Sequence, residues 1–157
     1  WTAEGWCYLA VLLDLFSRRV VGWAFADHMR RELPLKALQR ALESRRPGIG
    51  LIHHSDRGVQ YLSIRYTERL ADAGAVCSVG SRGDSYDNAL AEAVNGLYKA
   101  EVIRKNGPWR SLEQVELATA EWVDWWNQRR LHSAIGDIPP AEFEALYYHQ
   151  HEAADAA

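Results

Sequence analysis

Apolar residues run without a break over residues 6–13, a length that suits one strand. A polar interruption at residues 14–18 separates this run from a second over residues 19–26. So short a gap predicts an antiparallel hairpin. Pro34 then opens a helix, because its missing N–H costs nothing in a first turn. Leu35, Leu38, Ala41 and Leu42 recur at helical spacing, and Pro47-Gly48 closes the helix. Residues 50–55 predict a buried third strand that ends on Asp56 and turns over Gly58. A helix over residues 60–73 follows, with Tyr61, Ile64 and Leu70 as its inner face, broken by Gly74. Residues 75–79 predict a short fourth strand, and Asp84 or Ser85 supplies the next N-cap.

The helix predicted over residues 86–103 has two distinct faces. Leu90, Val94 and Leu97 form an apolar one. Ser85, Asn88, Glu92, Asn95 and Lys99 form a polar stripe with Glu92 at its centre. Ser111 to Gln114 reads as a capping box for a last helix to about residue 128, with Leu112, Val115, Thr119, Trp122 and Trp126 inward. Pro139-Pro140 is a stop, followed by a small apolar patch at Phe143, Leu146 and Tyr147. The order of elements predicts a single α/β domain over residues 1–148, with a mixed sheet flanked by helices and a disordered tail over 149–157.

Composition narrows the class without naming a function. The chain has 157 residues, enough for one sizeable core, and 48% hydrophobic against 25% charged residues is ordinary for a globular domain. Seven tryptophans are many for this length and hint at aromatic surface covered by a partner. The net charge of −3 does not announce nucleic acid, but Arg18-Arg19, Arg30-Arg31, Arg45-Arg46 and Arg129-Arg130 are local basic pairs. Each is a candidate phosphate contact or an ordinary solvated pair. Cys7 and Cys77 are too few for a disulfide framework and too far apart for a metal knuckle, so buried reduced thiols and a cytoplasmic location are expected. No signal peptide or membrane-length apolar run is visible, so no membrane partner is expected. The chain begins at Trp1 and its only methionine is Met29, which predicts a piece of something longer.

The residues with chemical potential are Asp56, at the end of a strand, and Glu92, on the helix after the next strand. Two acids so placed can converge at one sheet edge and share divalent metal ions for phosphoryl transfer. The alternative is an aspartate that caps a turn and a solvated surface glutamate. His53-His54 cannot both face one site, because strand neighbours point to opposite sides. Arg57 and Lys99 are candidate phosphate contacts, and Asn88, one turn before Glu92, either orients that acid, touches DNA, or makes only local hydrogen bonds at the helix start. Arg129, Arg130 and His132 either meet DNA or pin the C-terminal segment to the core.

The words around these acids are specific. His54-Ser-Asp56-Arg-Gly-Val-Gln-Tyr61, Asp84-Ser-Tyr-Asp-Asn88 and Ala91-Glu92-Ala93 closely resemble the integrase core of bacterial OrfB-type insertion-sequence transposases, which are related to retroviral integrases. The segment from Gly5 to Trp23 looks like the family's opening hairpin. Trp125-Trp-Asn-Gln-Arg-Arg-Leu-His132, with Pro139-Pro-Ala-Glu-Phe143, looks like its closing segment. The resemblance covers nearly the whole chain. It implies a ribonuclease-H-like fold whose first strand is missing or incomplete here, and an Asp-Asp-Glu site for Mg²⁺, with Mn²⁺ as a substitute. Asp56 matches the second acid and Glu92 the third, and both would be catalytic metal ligands. The first acid is expected upstream of Trp1, and Asp14 is expected to be a turn residue rather than its replacement.

The activity implied is cleavage and joining of DNA strands in transposition, with transposon ends and target DNA as partners. A homo-oligomer and an upstream helix-turn-helix region or subunit are implied as well. The fragment itself is expected to be inactive for want of the first acid. The rivals are a ribonuclease-H-like nuclease that hydrolyses without joining, and a non-catalytic remnant that only binds DNA or subunits.

Overall fold

The computed structural model describes residues 1–55, 64–78 and 84–155, apart from the side chains of residues 84–88 and 153–155. Strands β1 (Tyr8–Leu13) and β2 (Val20–Ala26) form the antiparallel hairpin, with Tyr8 opposite Ala26 and a bulge at Leu12/Leu13. Helix α1 (Glu32–Arg45) packs across both strands. Strands β3 (Ile52–His54) and β4 (Val76–Ser78) pair in parallel, joined through α2 (Ile64–Asp72). The described strands thus make one antiparallel and one parallel pair, a mixed α/β arrangement. Helix α3 (Asp84–Tyr98) continues into wider π-helical turns over Lys99–Arg104. Helices α4 (Leu112–Gln128) and α5 (Pro140–Asp155) close the chain, with one 3₁₀ turn at Ser133–Ile135 between them.

The core follows the predicted apolar faces in part, with Tyr98, Val102, Leu33 and Ala37 added to them. Val94, Tyr98 and Val102 of the α3 segment meet Val115, Trp122 and Trp126 of α4, and the far face of the hairpin contributes Val20 and Phe25. On the other side of the hairpin Ala10 and Ala24 pack against Leu33 and Ala37 of α1. Leu38 and Leu42 join α1 to Tyr66 and Leu70 of α2. Gly22 allows the closest of these approaches. A Cβ there would lie 2.8 Å from the Ala41 Cβ and collide with the Ala37 carbonyl, so only glycine lets α1 sit this near the sheet.

The capping box forms largely as expected. Ser111 Oγ accepts from the Gln114 N–H at 3.2 Å, and Gln114 Oε1 accepts from the Arg110 N–H at 3.0 Å. Glu4 adds a cap from the N-terminal turn, its Oε2 accepting from Leu112 N–H at 3.0 Å.

Four expectations need correction. Ile64 is 75% exposed and Tyr66 takes the inner position with Leu70. Tyr66 and Leu70 are one turn apart, whereas Ile64 and Leu70 are six residues apart and point to different sides. Strand β3 is not buried: Leu51 and Ile52 are exposed, because β3 pairs only with β4 among the described residues. Cys7 and Cys77 are free but only half-buried. Finally, α5 carries the stretch expected to be a disordered tail as helix through Asp155. Pro140 starts it, its residues are mostly good helix formers, and its first turns are anchored in the core through Glu144. The predicted Tyr61 and the strand end at Asp56 lie outside the described residues. No helix among the described residues is long and apolar enough to cross a membrane.

Candidate functional site

The exposed face of α3 carries the polar stripe. Val94 and Tyr98 are buried on one side, which turns Glu92, Asn95 and Lys99 outward into solvent. Glu92 makes no hydrogen bond or ion pair with any described residue, so its carboxylate is free to take a ligand. Asn88 lies on the same helix one turn earlier, with its side chain outside the described set. Asp56 and Arg57 also lie outside the described residues, so the pairing of the two acids is not visible. Among the described residues no three of His, Cys, Asp or Glu converge.

Strand β3 brings two histidines toward the same end of the molecule. His53 is half-buried and its Nε2 lies 2.9 Å from the Tyr66 hydroxyl, with the two rings edge to face. Burial lowers the His53 pKa below its ordinary value, and the neighbouring His54 adds to the shift. His54 is exposed. One ring thus braces α2 while the other faces solvent, as strand alternation requires.

Asp14 is a turn residue. Its Oδ1 accepts from the N–H groups of Phe16 at 2.9 Å and Ser17 at 3.2 Å, and its Oδ2 pairs with Arg45 at 2.6 Å. Arg45 also grips Glu144, the buried carboxylate of α5. Glu144 accepts from Ser17 Oγ at 2.7 Å, Arg19 Nη1 at 2.6 Å and Arg45 Nη1 at 2.9 Å. Burial would raise the Glu144 pKa, but the bonds from Arg45, Ser17 and Arg19 outweigh it and hold the carboxyl below its ordinary value. Arg19 and Arg45, two of the paired arginines, are therefore structural and not spare cations.

The C-terminal candidates divide. Arg129 is exposed, with only a 3.5 Å contact to Asp124. Arg130 donates to Glu101 Oε1 at 2.6 Å and lies over the rings of Trp125 and Trp126. Glu101 also accepts from Trp122 Nε1 at 2.8 Å. His132 packs edge to face on Trp126, with centroids 4.6 Å apart. Burial lowers its pKa, and Arg130 and Arg18 lower it further against the bond to the Trp126 carbonyl. Arg130 and His132 thus pin the C-terminal segment to α4. Sequence reasoning missed Glu101 and Glu144 as the carboxylates that hold these arginines. The only signal for Glu144 was its place directly after the Pro139-Pro-Ala-Glu-Phe143 segment.

Comparison with known proteins gives a consistent answer. The integrase core domain family matches residues 1–85, and a second family of the same description matches residues 73–140. The chain is 52% identical over 156 residues to the protein assigned as transposase of insertion sequence element IS986/IS6110 in Mycobacterium tuberculosis. That match covers 96% of this chain and 56% of the relative. It is 51% identical over 147 residues to the transposase for insertion sequence element IS629 from Shigella sonnei, covering 94% of this chain and 49% of that protein. The chain therefore spans about half the length of the curated relatives it matches. Among solved structures, the HTLV-2 integrase catalytic core domain in complex with magnesium superposes with a TM-score of 0.62 at 19% identity. It covers 86% of this chain and 82% of that one, a likeness that shows the ribonuclease-H-like fold.

Proposed function

The chain belongs to the integrase core domain family, and from that premise we propose that it is the catalytic core of an insertion-sequence transposase. It cuts and joins DNA strands at transposon ends with the help of divalent metal ions. The observation that carries the reading is Glu92, an exposed carboxylate without a described partner, at the position of the motif's third acid.

The donor chemistry fits Mg²⁺. That ion takes oxygen ligands, keeps several waters, and is held by one or two carboxylates plus substrate phosphate. Glu92 would supply one such oxygen and Asp56 the next. Bound there, metal ions would activate an attacking oxygen and stabilise a leaving one. The chain's own contribution is position. Helix α3 is fixed by Val94 and Tyr98 in the core, so Glu92 is presented on a rigid element rather than a loop. Lys99, two turns further along the same face, would contact a backbone phosphate, and Arg129 would add a second cation. Asp14 is held by Arg45 and its own turn, so it does not stand in for the motif's first acid.

The test is Mn²⁺ binding, followed by electron paramagnetic resonance, for the native chain, Glu92→Gln and Asp56→Asn. Either substitution should weaken binding about 10-fold or more, as expected when a charged ligand is lost. Equal affinity in all three proteins would sink the metal-site reading.

A further inference from the structure

A groove of about 430 Å³ opens between α3 and the segment that follows α4. Its volume lies within the range of ordinary ligand pockets, about 300–1,000 Å³. Its lining combines apolar Leu13, Leu90 and Val94 with the basic side chains of Arg18 and Arg130 and the His132 ring. Among the described residues no carboxylate lines it. Arg130 is already neutralised by Glu101, whereas Arg18 has no acidic partner among the described residues. The Arg18 Nε is buried and makes no hydrogen bond among the described residues. Its backbone is fixed in the left-handed region, φ 64°, and its carbonyl accepts from Trp126 Nε1 at 2.9 Å, so the side chain leaves from an anchored point.

Arg18 is thus a cation of the groove with no acidic partner among the described residues, and an anionic ligand in the groove would neutralise it. The groove also adjoins the candidate site. Ala89 and Ala93 line it, and they lie three residues before and one residue after Glu92 on the same helix. We propose that the groove receives one unpaired nucleotide of a DNA strand, its phosphate on Arg18 and its base against Leu13, Leu90 and Val94. An anion satisfies the arginine, and an aromatic base satisfies the apolar lining. Only an unpaired nucleotide can present both at once, since bases in a duplex are stacked out of reach. The identity of the polymer rests on the transposase reading; the anion-plus-apolar character of the groove does not.

The experiment is fluorescence anisotropy with the full chain and two labelled DNA duplexes, one blunt and one with a three-nucleotide 3′ overhang. Two variants are compared. Ala93→Leu fills the groove from an exposed helix position. Arg18→Asn removes the cation and keeps a residue that tolerates the left-handed backbone. The native chain should prefer the overhang about 5-fold or more. Both variants should lose that preference while keeping the affinity for blunt DNA, which also shows that they are folded. No preference in the native chain, or a preference that survives both substitutions, overturns the proposal. A labelled Glu-rich peptide that binds the native chain but not Ala93→Leu, with no overhang preference, would assign the groove to a protein partner and overturn it too. Failure here with Mn²⁺ binding still dependent on Glu92 leaves the transposase reading standing. Mn²⁺ affinity indifferent to Glu92 is failure of that reading.

Discussion

Glu144 is the residue whose loss should be felt furthest from where it sits. It is 5% exposed and receives hydrogen bonds from Ser17, Arg19 and both terminal nitrogens of Arg45. Glu144→Leu would leave two guanidiniums and a fully buried hydroxyl without their acceptor. Breaking a buried ion pair costs about 3–5 kcal/mol. The side chains of Arg19 and Arg45 remain 33% and 25% exposed, and Arg45 keeps Asp14, so solvent screening brings the cost to the bottom of that range or just below it. The expected loss is about 2–3 kcal/mol. For a chain of this size each kcal/mol moves the midpoint by about 2–4 °C, which predicts a Tm lower by about 4–12 °C. Thermal and urea unfolding followed by circular dichroism measure it, with Glu142→Leu as the exposed control on the same helix. A loss below about 0.5 kcal/mol, the range of surface pairs, would refute the buried-hub argument. So would an equal loss in the control.

Two further outcomes follow from the fold. Gly22→Ala should destabilise by about 1–3 kcal/mol, because the α1 backbone and Ala41 leave no room for a methyl group; an unfolding midpoint equal to that of the native chain would contradict the close packing. Stability should also fall in two stages on acidification. His53 and His132 have folded pKa values below 6.5, so the unfolded chain takes up protons first and stability declines as the pH drops below 6.5. Glu144 is likewise depressed, and its contribution is complete above about 4.5 and lost as the pH falls through its lowered folded value. A flat urea midpoint between pH 7 and pH 4 would exclude this.

Local pattern carried most of the framework. The hairpin, α1 and the Ser111 cap were legible because each rests on short-range rules: a short polar gap, 3.6-residue spacing, a hydroxyl three residues before an amide. The polar stripe through Glu92 was legible for the same reason, since helix periodicity alone decides which side faces out. The failures were long-range. Helix α5 lacks a strong apolar face and is anchored by a carboxylate that pairs with arginines about 100 and 125 residues earlier, which no local pattern reveals. Arg18 looked like any surface arginine, and only the folded positions of Trp126 and α3 make it the lining of a groove. Ile64 was placed inward because its apolarity outweighed its phase.

Asn127 illustrates how one amide can govern what the hairpin is allowed to join. Its Oδ1 accepts from the Val20 N–H and its Nδ2 donates to the Val20 carbonyl, both at 2.9 Å. A side chain here imitates the rung that a neighbouring strand would provide. Arg40 and Ser44 take the carbonyls of Trp23 and Val21 in the same way. With those groups occupied, β2 offers a poor template to a passing chain, and the hairpin is protected from ladder growth with other copies along that strand. The amide that orients α4 therefore also leaves this edge of the hairpin ill suited to strand pairing with another copy.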